Sequence, residues 1–454
     1  MPKKKTALTI EERLQQALVP AEEQPYELPE NWVWCRLNAV AEIVTGGTPS
    51  KKHLEYYGGN YPFYKPTDLD QGRLTYDASE YLSEEGKQVS RNIPKYSTAV
   101  CCIGSIGKSG YLMRDGTTNQ QINSAIPKIN SLCLYYYLCT DNFVQNLLSM
   151  ASATTIAIVN KSKMENCIFP LPPLAEQQRI VERIEELFTK LDEAKEKLQE
   201  VVDSFAVRKA AILHKAFTGE LTQKWRKENG VELSSWEDSC FGDFTVSQYG
   251  YTEKAHWEKV GPKFLRITDI QNNHVDWNQV PWCPIDEAGF KQYSVDIGDI
   301  MIARTGATTG KSYLITDKVD AVFASFLIRL KVIDKKLDYN YLYRYMQSEA
   351  YWQQITDFSS GIAQPGVNAN KLKKIKFLCP SLSEQHEIVR LIDSLLARER
   401  KAQETAEQAL TSIELMKKAI LEKAFRGELG TNKASEASAM ELLKQVLEQE
   451  NLQK

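Results

Sequence analysis

The chain has 454 residues, 43% of them hydrophobic and 25% charged, and its 56 Lys and Arg against 59 Asp and Glu leave a formal net charge of −3. Such a length exceeds one ordinary core and such a hydrophobic share excludes a disordered chain, while the near balance of charge excludes a uniformly basic nucleic-acid coat but allows faces of opposite sign. Nine cysteines without a Cys-x-x-Cys pair argue against a disulfide framework or zinc site, and no apolar run approaches the roughly 20 residues of a membrane-spanning helix, so a reduced, cytoplasmic chain without membrane contact is expected.

Residues 1–25 read as an N-terminal amphipathic arm. Pro2-Lys3-Lys4-Lys5 leads, without a secretory apolar core, into a helix capped by Thr9 and Glu12 and carrying Ile10, Leu14, Ala17 and Leu18. Residues 26–171 are of mixed character, with short β-like runs and turn signals rich in aromatics, Gly, Asn and Thr. Within them Thr45-Gly46-Gly47-Thr48, followed by the basic Lys51 and Lys52, has two readings, a surface turn or a DNA-facing loop. Lys65 with Thr67 and Asp68 combines a cation with groups able to bond base edges or phosphates; the competing reading is a strand end whose Asp caps the next turn. Tyr56, Tyr57, Tyr61, Phe63 and Tyr64 read as packing rather than as stacking platforms. Gly104-Ser105-Ile106-Gly107-Lys108-Ser109 is a glycine-framed turn with a lysine at its end.

Residues 172–222 read as a spacer helix, started by Pro172-Pro173 and stopped by Gly219. Ile180, Ile184, Leu187, Leu191, Ala194, Leu198, Val201, Phe205 and Ile212 follow one seam, broken only by Arg208. From Glu176 to Phe217 such a helix is about 60 Å long at about 1.5 Å per residue.

Residues 223–379 form a second mixed unit. Lys263-Phe264-Leu265-Arg266-Ile267-Thr268-Asp269-Ile270 matches Pro62 to Leu69, so Arg266, Thr268 and Asp269 carry the same two readings as their counterparts. After Arg304 and Thr305, Gly306-Ala307-Thr308-Thr309-Gly310-Lys311-Ser312 resembles a phosphate-binding loop but has three residues between its glycines where four are required, and the first unit has two. A structural turn is the better account, and Thr308 and Lys311 in such a turn suit a DNA phosphate.

Residues 380–430 read as a second spacer helix, with Ser381 and Glu384 as a capping pair, Gly427 as the stop, and the seam Ile388, Ile392, Leu395, Ala402, Ala406, Ala409, Ile413, Met416 and Ile420. Glu399 stands where the first copy has Leu191. Residues 431–454 close the chain as a helical tail, Ser438 with Glu441 capping Leu442, Leu443, Val446 and Leu447. The arm and the tail suit pairing with each other or with another subunit.

The two spacers are copies at one offset. Pro172, Leu174, Glu176, Gln177, Ile180, Val181 and Ile184 recur 208 positions later as Pro380, Leu382, Glu384, Gln385, Ile388, Val389 and Ile392, and Ala216-Phe217-Thr218-Gly219-Glu220-Leu221 recurs as Ala424-Phe425-Arg426-Gly427-Glu428-Leu429. Unbroken register over a long stretch marks a rigid rod, whereas the mixed units between drift in length. The second seam is best buried by running back along the first, so the expected fold is α+β: two tandem mixed units separated by two long antiparallel coiled-coil helices, in approximate two-fold relation. Catalysis finds little support, because His53, His214, His256, His274 and His386 lack metal-ligand spacing and no amino-methyltransferase tetrad is present.

Glu27-Leu28-Pro29-Glu30-Asn31-Trp32, Leu171-Pro172-Pro173-Leu174-Ala175-Glu176-Gln177-Gln178 and Lys215-Ala216-Phe217-Thr218-Gly219-Glu220-Leu221 give a chain that resembles the specificity subunit of a type I restriction-modification system over nearly its full length. The resemblance implies that each mixed unit is a target recognition domain reading one half of a gapped double-stranded DNA target. The helices then set the spacing and dock two methyltransferase subunits, with Glu176, Gln177, Phe217, Glu384, Gln385 and Phe425 as the expected partner-binding residues. S-adenosylmethionine, ATP and Mg2+ belong, on this resemblance, to the methyltransferase and restriction subunits; this chain holds no cofactor, no metal and no catalytic residue. The competing readings are a fused specificity and methyltransferase enzyme, and a coiled-coil adaptor that binds proteins rather than DNA.

Overall fold

The computed structural model describes residues 9–152, 157–271, 273–359 and 366–452. The basic Lys3-Lys4-Lys5 lies outside the described residues. The chain divides into two compact units, one of residues 1–197 with 409–454 and one of residues 198–408.

In the first unit, strand Val33–Arg36 pairs antiparallel with Ile168–Leu171, Val33 opposite Leu171, so the beginning and end of the mixed region are tied together. Between them lies a four-stranded antiparallel sheet in the order Ala41–Thr45, Ile122–Pro127, Thr98–Cys101, Ser109–Tyr111. Tyr57–Tyr64 pairs antiparallel with Glu80–Leu82 and parallel with Thr117–Thr118. Asn130 caps the helix Ser131–Leu138, whose residues Cys133 to Leu138 are all buried; an apolar run flanked on more than one side takes no solvent face.

The second unit repeats this plan. Glu237–Cys240 pairs with Lys376–Cys379, and the sheet order is Thr245–Tyr249, Leu327–Val332, Ile300–Ala303, Ser312–Leu314. Lys263–Leu265 runs parallel to Ala321–Phe323, as Tyr57–Tyr64 does to Thr117–Thr118.

The spacer helices form where the seams require. The first copy is Leu174–Asp203 followed by Phe205–Phe217, with a bend at Ser204 where Arg208 donates to the serine hydroxyl; the second is one helix, Leu382–Ala424. In the first unit Lys417 pairs with Asp192 and Lys195 with Glu414 at 2.6 Å, so one helix descends as the other ascends. In the second unit Arg208 Nε lies 2.5 Å from Glu399 Oε2. The residue that breaks the first seam and the one that departs in the second are therefore each other's partners. The seams also shift by one residue in places: Met416 and Val201 are exposed, while Lys417 and Val202 turn partly inward, and Leu396 is more buried than Leu395. A straight helix drifts against a 3.5-residue repeat, and the covered position drifts with it.

The arm and tail resolve in favour of pairing with each other. Helix Ile10–Ala17, with both bonds of its Thr9 and Glu12 capping box made, packs on Ala439–Leu452 within the first unit, and Arg13 Nη1 donates to Leu447 O at 2.6 Å.

Candidate nucleic-acid interface

Strand direction brings the candidate loops together. In the first unit Thr45 ends its strand opposite Asn123, Cys101 ends opposite Ile122, and Val100 pairs with Ser109. The loop after Thr45, the turn from Cys102 to Lys108 and the turn Asn119-Gln120-Gln121 therefore emerge from one end of one sheet. Tyr64 joins them, because its carbonyl accepts from Asn119 N at 3.1 Å and Lys65 follows directly. Four stretches chosen or passed over separately in the sequence thus share an edge.

The second unit assembles the same edge. Tyr249 ends opposite Ile328, Ala303 opposite Leu327, and Ala324 N donates to Leu265 O at 2.9 Å, placing Arg266 beside the turn 324–326. Both units press the first loop onto that turn through a glycine. A Cβ on Gly46 would strike the carbonyl oxygens of Thr118 and Asn119, and one on Gly250 those of Phe323 and Ala324. Only glycine permits so close a backbone approach.

The individual residues divide by role. Thr48, Lys51, Thr67, Thr268 and Lys311 are exposed at this edge; Thr45, Gly47, Lys65, Lys108, Arg266, Arg304, Thr305 and Thr308 are half-buried. Thr45 Oγ1 donates to Asn123 Oδ1 at 2.8 Å, and Thr48 Oγ1 to Gln120 Oε1. Lys65 is 2.8 Å from Glu80, and Lys108 2.7 Å from Asp70. Arg304 lies over the Tyr249 ring, 4.9 Å from its centroid, and its Nη1 donates to Ser325 O at 3.3 Å.

For Asp68 and Asp269 the capping reading prevails over base contact. Asp68 Oδ2 accepts from Lys65 N at 2.7 Å and its other oxygen from Ser79 N at 2.9 Å, while Asp269 Oδ2 accepts from Arg266 N at 2.8 Å. The glycine-framed stretches are hairpin turns, as the spacing indicates. Gly104, Gly107, Gly306 and Gly310 have φ of 81°, 86°, 77° and 87°, and each turn joins two neighbouring strands of its sheet. A phosphate-binding loop feeds a helix instead.

The expected partner-binding residues need correction. Glu176 and Glu384 are 0% exposed. Glu176 accepts from Trp32 Nε1 at 2.7 Å, Asn432 Nδ2 at 2.8 Å and Thr431 Oγ1 at 3.1 Å. Glu384 accepts from Trp236 Nε1 at 2.9 Å, and from Thr222 Oγ1 and Arg226 Nη1, both at 2.7 Å. Gln177 donates to Pro172 O at 2.9 Å and accepts from Asn130 N; Gln385 donates to Pro380 O and Lys336 O at 2.8 Å and accepts from Asp338 N. Phe425 is buried edge-on against Tyr137, and half-buried Phe217 packs on Tyr341 and Tyr345. Their polar and aromatic groups are used inside the chain, so they shape a surface rather than form it.

Sequence reasoning missed Gln120, Tyr249, Gly250 and Phe326. Gly250 carries a signal, since it follows Trp236 by the same interval as Gly46 follows Trp32. Gln120 and Phe326 carry none beyond lying in a short gap between strands. Among the described residues no group of three or more His, Cys, Asp or Glu side chains is placed to hold a metal ion, and no helix is long and apolar enough to cross a membrane.

The arrangement defines a class: a tandem repeat whose two sheet domains present matched loop edges and are connected by a long antiparallel helix pair. The sequence pattern described as the type I restriction modification DNA specificity domain matches residues 29–203 and 234–411. The chain belongs to that family. It is 25% identical over 418 residues to the type I restriction enzyme EcoBI specificity subunit of Escherichia coli, covering 88% of this chain and 86% of that one. It is 26% identical over 405 residues to the MjaVIII specificity subunit of Methanocaldococcus jannaschii, covering 85% and 92%. In fold it is similar to the HsdS subunit from Thermoanaerobacter tengcongensis, with TM-score 0.62 at 18% identity over 89% of this chain and 99% of that one. A chain from work on complex assembly and conformational transition of the type I R-M system has TM-score 0.68 at 18% identity, covering 89% and 100%.

Proposed function

We propose that this chain is the DNA sequence-recognition subunit of a type I restriction-modification complex, non-catalytic itself, in which each sheet domain reads one half of a bipartite, gapped duplex target. The observation that carries this reading is the contrast within the repeat. The groups that close each unit, Trp32 on Glu176 and Trp236 on Glu384, are the same in both, while the loops at the sheet edge differ in length and chemistry. Two copies held by one frame and tipped by different side chains suit two different half-sites.

At the first edge Thr45, Gly47, Thr48, Lys51, Lys65, Thr67 and Lys108 face the duplex, with buried Gly46 holding their loop against the turn rather than touching DNA, and at the second Arg266, Thr268, Arg304, Thr305, Thr308 and Lys311 face it. The lysines and arginines hold phosphates and set orientation; hydroxyls and amides at the tips read base edges. Two methyltransferase subunits dock on the exposed flanks of the spacer helices, whose ends Glu176, Gln177, Glu384 and Gln385 hold in shape. Those partners bring S-adenosylmethionine, restriction subunits bring ATP and Mg2+ chemistry, and the assembly works on DNA in the cytoplasm.

Binding of duplex DNA by the chain with its methyltransferase partner, measured over a salt series, tests this. The logarithm of affinity should fall linearly with the logarithm of salt, and Lys51→Ala or Lys311→Ala should each reduce the slope by about 0.9 while weakening all sequences alike. A salt-independent affinity, or methylation by the isolated chain, contradicts the proposal.

A further inference from the structure

The two reading edges differ most sharply at the turn that all the loops surround. In the first unit this turn is Asn119-Gln120-Gln121. Its exposed residue is Gln120, an amide bonded to the Thr48 hydroxyl, and Asn119 and Gln121 brace each other, Asn119 Nδ2 donating to Gln121 Oε1 at 3.0 Å and Gln121 N to Asn119 Oδ1 at 3.1 Å. In the second unit it is Ala324-Ser325-Phe326, and the outward group is a phenyl ring, 61% exposed.

Phe326 is not a loose surface residue. Its carbonyl accepts from Arg304 N at 3.1 Å, Ser325 N donates to Tyr251 O at 2.8 Å, Leu327 N donates to Ala324 O at 2.8 Å, and Ser325 O accepts from the Arg304 guanidinium. Gly250, pressed on the carbonyls of Phe323 and Ala324, closes the remaining side. A backbone braced from both flanks yet ending in an exposed apolar ring keeps hydration cost in the free protein and removes it only when something covers the ring. Arg304, whose N–H bonds the Phe326 carbonyl, and Arg266, which follows the Leu265 carbonyl bonded to Ala324 N, set positive charge beside the turn, which disfavours an apolar protein surface as the cover and favours a duplex. In the major groove the apolar feature of a base pair is the thymine 5-methyl group.

We infer that Phe326 is a specificity-determining residue of the second half-site that contacts a thymine methyl, whereas the first half-site is read from the equivalent turn by the hydrogen-bonding amide of Gln120, one residue earlier in the register, at the position of Ser325. This rests on the DNA-reading function proposed above and assigns the chemistry of each edge. A phenyl tip selects by methyl contact, and a glutamine tip selects by donor and acceptor pattern, with adenine as the base whose major-groove edge it matches in two bonds.

The test uses the chain assembled with its methyltransferase subunits. Base-resolved methylation mapping first gives the two half-sites; competition binding then compares the target with one in which each thymine of the second half-site in turn is deoxyuridine. One uracil substitution should lower wild-type affinity about fourfold, the value of one buried methyl group, and should leave Phe326→Ala unaffected. Phe326→Ala should also lose discrimination at that base pair by about tenfold, with the first half-site and the gap unchanged. Because the ring is exposed, an unchanged melting temperature shows that the variant is folded. A Phe326→Ala complex with an unaltered second half-site, equal uracil effects in both proteins, or a loss confined to methyltransferase assembly overturns the inference. Absence of any bipartite methylation by the wild type instead overturns the proposed function.

Discussion

Glu176 and Glu384 sit in the first turn of their helices, where a carboxylate ordinarily complements the helix dipole in water. Here both are wholly buried, each with an indole N–H and donors from the segment that follows a spacer helix. The two brackets differ in one respect: Arg226 donates to Glu384, while the donors to Glu176 are the neutral Trp32, Thr431 and Asn432. Breaking a buried ion pair leaves the partner charge unpaid, so Glu384→Gln should destabilise the second unit by about 3–5 kcal/mol and Glu176→Gln the first by about 1–3 kcal/mol in denaturant unfolding. The repeat identifies Glu176 and Glu384 as equivalent in the sequence, but their burial is not legible there, because a Glu-Gln pair at a helix start looks the same whether water or an indole receives it.

Cysteine reactivity follows from burial at the same scale. Burial pushes the thiols of Cys102, Cys139 and Cys167 up to about 12 and those of Cys283 and Cys379 up to about 11, and raises Cys35, Cys101 and Cys133 as well. The thiolate is the reactive form. At pH 8 the native protein should therefore expose essentially half-buried Cys240 to a thiol reagent, and the denatured chain all nine cysteines; prompt labelling of Cys35 or Cys133 in the native state is the contrary result.

At the scale of elements, the spacer helices were the most legible part of the chain. A constant offset and a repeating apolar seam give both their extent and the antiparallel course that the Asp192 to Lys417 and Lys195 to Glu414 pairs follow in the first unit. The one-residue shifts were not legible, since they arise from helix geometry rather than from residue type. Arg208 and Glu399 are legible separately as seam faults, but their pairing depends on the register between two helices far apart in sequence. Replacing both by Leu restores an apolar seam at a half-exposed place and should leave the second unit as stable or slightly more so, whereas Arg208→Ala alone removes the partner of Glu399 and should destabilise it by no more than about 1 kcal/mol. Thermal unfolding of the single and double variants distinguishes the two effects. Among the loops, the hairpin nature of the Gly306 to Lys311 turn was readable from glycine spacing, while the convergence of four loops at one edge was not, because it follows from strand pairing.

At the scale of the whole molecule, each mixed unit is closed by its own first and last strands, Val33–Arg36 on Ile168–Leu171 and Glu237–Cys240 on Lys376–Cys379. Each can thus be exchanged as a cassette without disturbing the other unit's core. The frame was readable as repetition; the side chains proposed to read bases were not, because diverged turns such as Asn119-Gln120-Gln121 and Ala324-Ser325-Phe326 share no motif. The central claim is that the two units read independently, each through its own edge. Base-resolved methylation mapping in cells that express the methyltransferase partner with a chain whose residues 26–171 come from another family member tests it most directly. The account predicts a target with one half-site replaced and the other half-site and the gap retained; a target changed in both halves, or in neither, contradicts it.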